Sequence, residues 1–288
     1  MARKATPQDL TITPRDRRFG RGAATARWWL GGNPYASALY NALSVTFPKG
    51  EAYFVESVRA FRVGTPPRLA AEIKAFTTQE VMHSREHVQF NRRAVDAGYD
   101  ISGLETKVEE RLAISRARPP IVNLAATMAL EHFTAILAHE LLRDPRHLAG
   151  ADAESAALWR WHSIEEIEHK GVAYDTWLFA TRQWPRWKRW KVKAKVMLYV
   201  TRNFVVDRTM GALELMRQDG VTGIRAWTLL LWYLWVRPGM FRKIAGAWAK
   251  FFVPGFHPWN EDDRHVLGAY AAIASSTAEP KRKVRRAA

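Results

Sequence analysis

Twice in this chain a glutamate stands three residues before a histidine: Glu80 before His83, and Glu166 before His169. Residues three and four apart share a helix face, so on a helix each pair presents a carboxylate and an imidazole side by side to one cation. Each pair has another histidine one turn away, His87 beyond His83 and His162 ahead of Glu166. The chain has no cysteine, which excludes disulfides, iron–sulfur clusters and thiolate zinc sites. A metal here must be held by oxygen and nitrogen, a donor set that favours iron or manganese and also admits zinc.

With 17 glutamates and nine histidines in 288 residues, chance alone yields about half a Glu-x-x-His match. Position therefore has to carry the argument. Leu69, Ile73, Phe76, Glu80, His83, His87 and Phe90 are spaced alternately by four and three, a heptad-type seam with three ionisable residues where apolar ones belong. The helix bearing them is expected over about 68–97, between Gly64-Thr65-Pro66-Pro67 and Gly98. A second seam runs through Ser155, Trp159, His162, Glu166, His169, Ala173, Thr176 and Ala180, on a helix expected over 152–182. Lone glutamates interrupt two further stripes. Glu51 heads Phe54, Val55, Val58 and Phe61, and Glu131 sits among Leu124, Met128, Ala135, Ala138 and Leu142 on a helix over 121–142.

The order is carboxylate, pair, carboxylate, pair, one contribution per helix. That is the donor set of a four-helix dinuclear-metal bundle. Four buried carboxylates without partners cost several kcal/mol each, and clustering them costs more, whereas two divalent ions cancel their charge. The plain alternative is that these are core polar residues paired with some of the many arginines. His87 and His162 stay open between a further ligand and a hydrogen-bonding neighbour. Glu56, Glu165 and Glu168 fall off the stripes and are expected in water, while His132, His139, Tyr53 and Tyr174 read as structural.

The elements around this set are polar or basic. Residues 1–35 read as a basic, turn-rich arm, 36–182 as the bundle, 183–275 as a basic Trp-rich amphipathic helical region, and 276–288 as a disordered basic tail. A stretch over 102–116 reads as a short crossover helix. No long apolar run follows Met1, so neither a secretory signal nor a transit peptide is expected. The net charge is +16, and Arg182–Lys250 holds 15 basic residues against Asp207, Glu214 and Asp219, together with seven of the 13 tryptophans. Tryptophan interleaved with Lys and Arg suits either an anionic membrane surface or a layer packed on the bundle. Nucleic acid is disfavoured, because no reading motif occurs and the apolar run Leu229–Val236 has no use there.

The arrangement resembles the ferritin-like carboxylate dimetal superfamily, which includes the ribonucleotide reductase small subunit, acyl carrier protein desaturases and multicomponent monooxygenases. Its Glu…Glu-x-x-His repeat matches Glu51, Glu80, His83, Glu131, Glu166 and His169. His162 is similar to the extra ligand of the arylamine N-oxygenase branch. More narrowly, Phe47-Pro48-Lys49-Gly50-Glu51, Gln79-Glu80-Val81-Met82-His83 and Trp161-His162 through Lys170 resemble a bacterial family labelled predicted metal-dependent hydrolase, over residues 12–260. The resemblance implies an all-α, ferritin-like four-helix bundle with two divalent ions, iron first. It implies an oxidase or oxygenase drawing on an electron donor, the alternative being a hydrolase on the same two metals. The expected substrate is hydrophobic and lipid-like. The expected location is cytoplasmic, or peripheral on the inner face of the cytoplasmic membrane, with a homodimer left open.

Overall fold

The helices begin where proline allows. In the computed structural model, which describes residues 5–21 and 26–268, the chain forms α1 (Pro34–Ser44), α2 (Phe47–Arg59), α3 (Pro67–Asp96), α4 (Ser102–Arg116), α5 (Pro120–Arg143), α6 (Ala153–His169), α7 (Val172–Ala180), α8 (Arg186–Gln218), α9 (Gly223–Trp235) and α10 (Met240–Lys250). Proline occupies the first turn of α1, α2, α3 and α5, where its missing N–H breaks no helical bond and its fixed φ suits the first turn. No strand occurs among the described residues, whose single bridge joins Leu30 to Ala151. The fold is all-α.

Helices α2 and α6 each pack on both α3 and α5, which closes a ring of four. Phe76, Ile73, Leu124, Met128, Leu158 and Ile167 are fully buried in its helices. Helix α5 is long and apolar enough to cross a membrane by length and composition. It is instead a core helix, in contact with α2, α6, α7, α8 and α10, and 61% of its most apolar window is buried.

One expectation needs correcting. The helix expected without interruption over 152–182 breaks between His169 and Val172. A side chain at Gly171 would meet Thr6 Oγ1 at 2.6 Å and Trp259 Nε1 at 3.0 Å, so the chain turns where two distant segments press on it. The basic Trp-rich region, expected to be helical, opens with one long helix, although tryptophan interleaved with Lys and Arg suits short amphipathic helices. Helix α8 is 33 residues long and packs along α1, α5 and α9, with Trp187 and Trp190 left exposed. The tail read over 276–288 lies outside the described residues.

Candidate metal centre

Glu51 from α2, Glu80 and His83 from α3, Glu131 from α5, and Glu166 and His169 from α6 meet inside the ring, none more than 4% exposed. Their atoms form overlapping groups. Glu80, Glu131 and His169 make one, Glu51, His83 and His162 a second, and Glu80, His83 and Glu166 a third that links them. Within each group one ligand atom per residue lies within 4.8 Å of the others. The heptad seams of α3 and α6 account for this: each turns its ionisable residues to the same inner face as its buried apolar residues, Leu69, Ile73, Phe76 and Phe90 on α3 and Trp159 on α6.

The hydrogen bonds behind the histidines decide which nitrogen each offers. His169 Nδ1 lies 2.9 Å from Gln79 Oε1, and Gln79 in turn donates to Glu168 at 3.0 Å. Gln79 Oε1 can only accept, so the proton is on His169 Nδ1 and Nε2 is bare. That bare nitrogen faces Glu80 at 3.1 Å, Glu131 at 3.5 Å and Glu166 at 3.5 Å. His83 Nε2 lies 3.0 Å from Glu165 Oε2, and with that oxygen accepting, Nδ1 is left bare toward Glu166 at 3.7 Å and Glu80 at 3.9 Å. A bare nitrogen turned on ionised carboxylate oxygens is repulsive unless a metal cation or a proton lies between them.

His162 follows the same logic through a longer chain. Ser44 donates to Asn91 Oδ1 at 2.6 Å, so His87 Nδ1–H donates to Ser44 Oγ at 2.8 Å. His87 Nε2 then accepts from His162 Nδ1–H at 2.7 Å, and His162 Nε2 is left bare beside Glu166 at 2.9 Å and Glu51 at 3.6 Å. Both ring nitrogens of His87 are engaged, and it belongs to none of the candidate ligand groups. It serves as the hydrogen-bonding neighbour of His162.

The donor set fits a cation on a direct count. Among the described residues, buried side-chain atoms without a hydrogen-bond partner include Glu51 Oε1, both oxygens of Glu80 and of Glu131, Glu166 Oε2, His83 Nδ1 and His169 Nε2. Every one of the six residues contributes at least one such atom. Buried polar atoms are normally satisfied, so this concentration needs a partner the protein does not supply. The electrostatics agree. Burial, then repulsion from neighbouring carboxylates, raises Glu51, Glu80 and Glu131 well above the ordinary carboxylate range. Burial lowers His83 and His87, so both rings are neutral as ligation requires.

Glu165 and Glu168, expected in water, are buried. They orient His83 and, through Gln79, His169, and both are gripped by Arg15 of the N-terminal arm. Arg15 NH1 lies 3.4 Å from Glu165, NH2 lies 2.6 Å from Glu168, and its backbone N–H donates to Glu165 at 2.9 Å. Burial, opposed by Arg15, pushes Glu165 up to about 8. The heptad count misplaced these two glutamates because the arm covers a helix face that α6 alone would leave in water. Only the acidic run Glu165-Glu166-x-Glu168 hinted at them, and nothing local pointed to Arg15. As expected, His132 and His139 play structural parts, on the Ala247 carbonyl and on Asp263. The Tyr53 hydroxyl is spent on the Asn123 carbonyl. Glu140, Asp144 and His147 form one more ligand-like group, but the Lys243 ammonium contacts both carboxylates and Arg146 pairs with Asp144 at 2.6 Å, so two cations already balance the two charges.

A family model described as predicted metal-dependent hydrolase matches residues 13–262 of the chain. No curated protein and no solved structure matches it.

Proposed function

Since the chain belongs to the predicted metal-dependent hydrolase family, we propose that it hydrolyses an apolar substrate with two divalent cations. Glu51, Glu80, His83, Glu131, Glu166 and His169 are the ligands, and His162 is a seventh. The observation that carries this is the set of three bare imidazole nitrogens turned on unpartnered carboxylates inside one ring of helices. Two divalent ions, when bound, supply a water of lowered pKa and a positive clamp for the oxygen that gains charge.

The chain's own residues do the rest. Glu165 and Gln79 fix the rings of His83 and His169 from behind, and Arg15 holds Glu165 and Glu168 in register. His162 Nδ1–H, bonded to His87 and on to Ser44, is where a proton can be held or passed away from the centre. An apolar cavity reaches His162 and Glu166 between Trp159, Phe47 and Leu137, and its lining suits a hydrophobic or lipid-like substrate. The exposed face of α9, with Ile224, Trp227, Leu231, Trp232 and Trp235, supports peripheral attachment to an anionic membrane surface, on the cytoplasmic side.

Elemental analysis of the purified protein is expected to give two metals per chain, and Glu166→Ala to give one or none. Hydrolysis of medium-chain esters should then proceed without oxygen. A Glu166→Ala protein that retains two metals ends the reading. One observation favours a second reading. Four carboxylates and paired imidazoles from four helices are also the donor set of ferritin-like di-iron oxidases and oxygenases. Oxygen uptake by the ferrous protein with an electron donor, and no ester cleavage under nitrogen, would select that reading.

A further inference from the structure

The cavity beside the candidate centre, with about 70 Å³ open to the centre of a water-sized sphere, is lined almost wholly by apolar groups of α1, α2, α5, α6, α8, α9 and α10. At one side stand His162 and Glu166, and elsewhere on the wall is a single arginine, Arg208 of α8. Arg208 is 7% exposed. Its NH1 donates to the Ala42 carbonyl at 2.6 Å, one of the acceptors that the last turn of α1 leaves without a backbone donor. That capping bond uses one of five N–H donors. Among the described residues, no carboxylate lies within ion-pair distance of the guanidinium. Neighbouring Asp207 is turned to Arg111 instead, at 2.9 and 3.1 Å.

A buried cation without a counter-ion is expensive, and a guanidinium cannot shed its proton at neutral pH. If Arg208 were only a helix cap, a neutral donor would satisfy Ala42 at lower cost. The fork instead offers paired donors suited to a carboxylate, on the wall of an apolar chamber. We propose that Arg208 anchors an anionic head on the substrate, so that the ligand is a carboxylate on a single medium-length hydrocarbon chain that also carries the ester to be cleaved. Its apolar body fills the space between Leu43, Phe47, Trp159 and Phe204, within reach of the side where Glu166 and His162 stand. The assignment of this ligand as substrate rests on the metal-centre reading; the assignment of Arg208 as its anchor does not.

Calorimetric titration tests this with octanoate, octan-1-ol and octylammonium, probes that share a chain and differ in head group. Wild type is expected to bind octanoate at least ten-fold more tightly than octan-1-ol, and octylammonium most weakly. Arg208→Met should lose that ten-fold preference while binding octan-1-ol within two-fold of wild type. Leu43→Trp, which narrows the chamber and keeps Arg208, should weaken octanoate and octan-1-ol together, and it tests the site should Arg208→Met fail to fold. Equal binding of octanoate and octan-1-ol by wild type overturns the proposal, as does a preference that survives Arg208→Met. So does unchanged binding of both by Leu43→Trp. The titration is repeated after chelation. A preference that vanishes with the metals but survives Arg208→Met puts the carboxylate on the cations and refutes the anchor, while the metal centre stands. A preference that depends on Arg208, in a protein that elemental analysis finds unable to take up divalent metal, keeps the anchor and refutes the metal centre.

Discussion

The inside of the bundle and the outer face of α9 break the same rule in opposite directions. In the ring, Glu51, Glu80, Glu131 and His169 are fully buried with polar atoms unpartnered. On α9, Ile224 is 82% exposed, Trp232 59% and Trp235 47%. Charge hidden from water and apolar surface left in water each cost free energy in the isolated chain. Each therefore points to something the chain meets: cations in the first place, an apolar surface in the second. The two differ in how far they specify that partner. Imidazole tautomers, fixed by hydrogen bonds, aim named atoms at one point. An exposed tryptophan face marks an affinity for apolar surroundings and says little about geometry.

The contrast is broken most directly by removing the cations and varying pH. Glu51, Glu80 and Glu131 have folded pKa values above their unfolded ones, so the metal-free native state holds protons that the unfolded chain releases. The stability this confers is complete below the unfolded pKa, about 4.3, and is lost as pH rises through the folded values. Bound cations displace those protons, so the loaded protein escapes the loss. The gap in Tm between loaded and chelated protein should therefore widen with pH, to roughly 10 °C or more at pH 8 and less than half that at pH 5.5. A gap that stays constant or narrows, measured by scanning calorimetry at several pH values, contradicts a cation among these carboxylates.

Arg15→Ala sharpens the comparison from outside the ligand set. Arg15 touches no ligand, yet it holds the two glutamates that orient His83 and His169. Its loss should weaken metal affinity about 10- to 100-fold, read by competition with a chelator of known strength, while helical content is unchanged. Arg15→Lys should recover only part of it, since an ammonium cannot reproduce the fork across Glu165 and Glu168. Unaltered metal affinity in Arg15→Ala would make the arm a cover and nothing more.

The smallest effect on the folded protein is expected at the other region. Replacing Trp232 and Trp235 with serine should change stability by less than about 0.5 kcal/mol per site. It should also cut flotation with anionic liposomes several-fold, and added salt should weaken the wild-type association. Wild-type protein that ignores such liposomes at low salt would leave the α9 face without a membrane role.

How much of this was legible beforehand depends on the range of the interactions. The ring helices were readable to within a few residues, apart from the early start of α2 and the break at Gly171. A heptad seam is a local pattern, and Glu80/His83 and Glu166/His169 sit on it. The facing of Glu51 and Glu131 followed from the same periodicity. Helix α1 was not singled out, because Tyr35 to Ser44 carry few charges to set one face apart from another.

By itself, then, the amino-acid sequence determined four helices that each turn ionisable residues inward, since i, i+3 and i+4 neighbours share a face wherever the helix lies. Only the tertiary structure decided that His162 offers a bare nitrogen while His87 serves it from behind. It also decided that Glu165 and Glu168 lie under Arg15, and that Arg208 is buried on the wall of an apolar chamber. Those outcomes depend on contacts between residues as far apart as Arg15 and Glu168, or Ala42 and Arg208. Helical periodicity relates residues one turn apart. It has no term for which distant segment covers a given face, and that cover decides whether a charge meets water, a partner or neither.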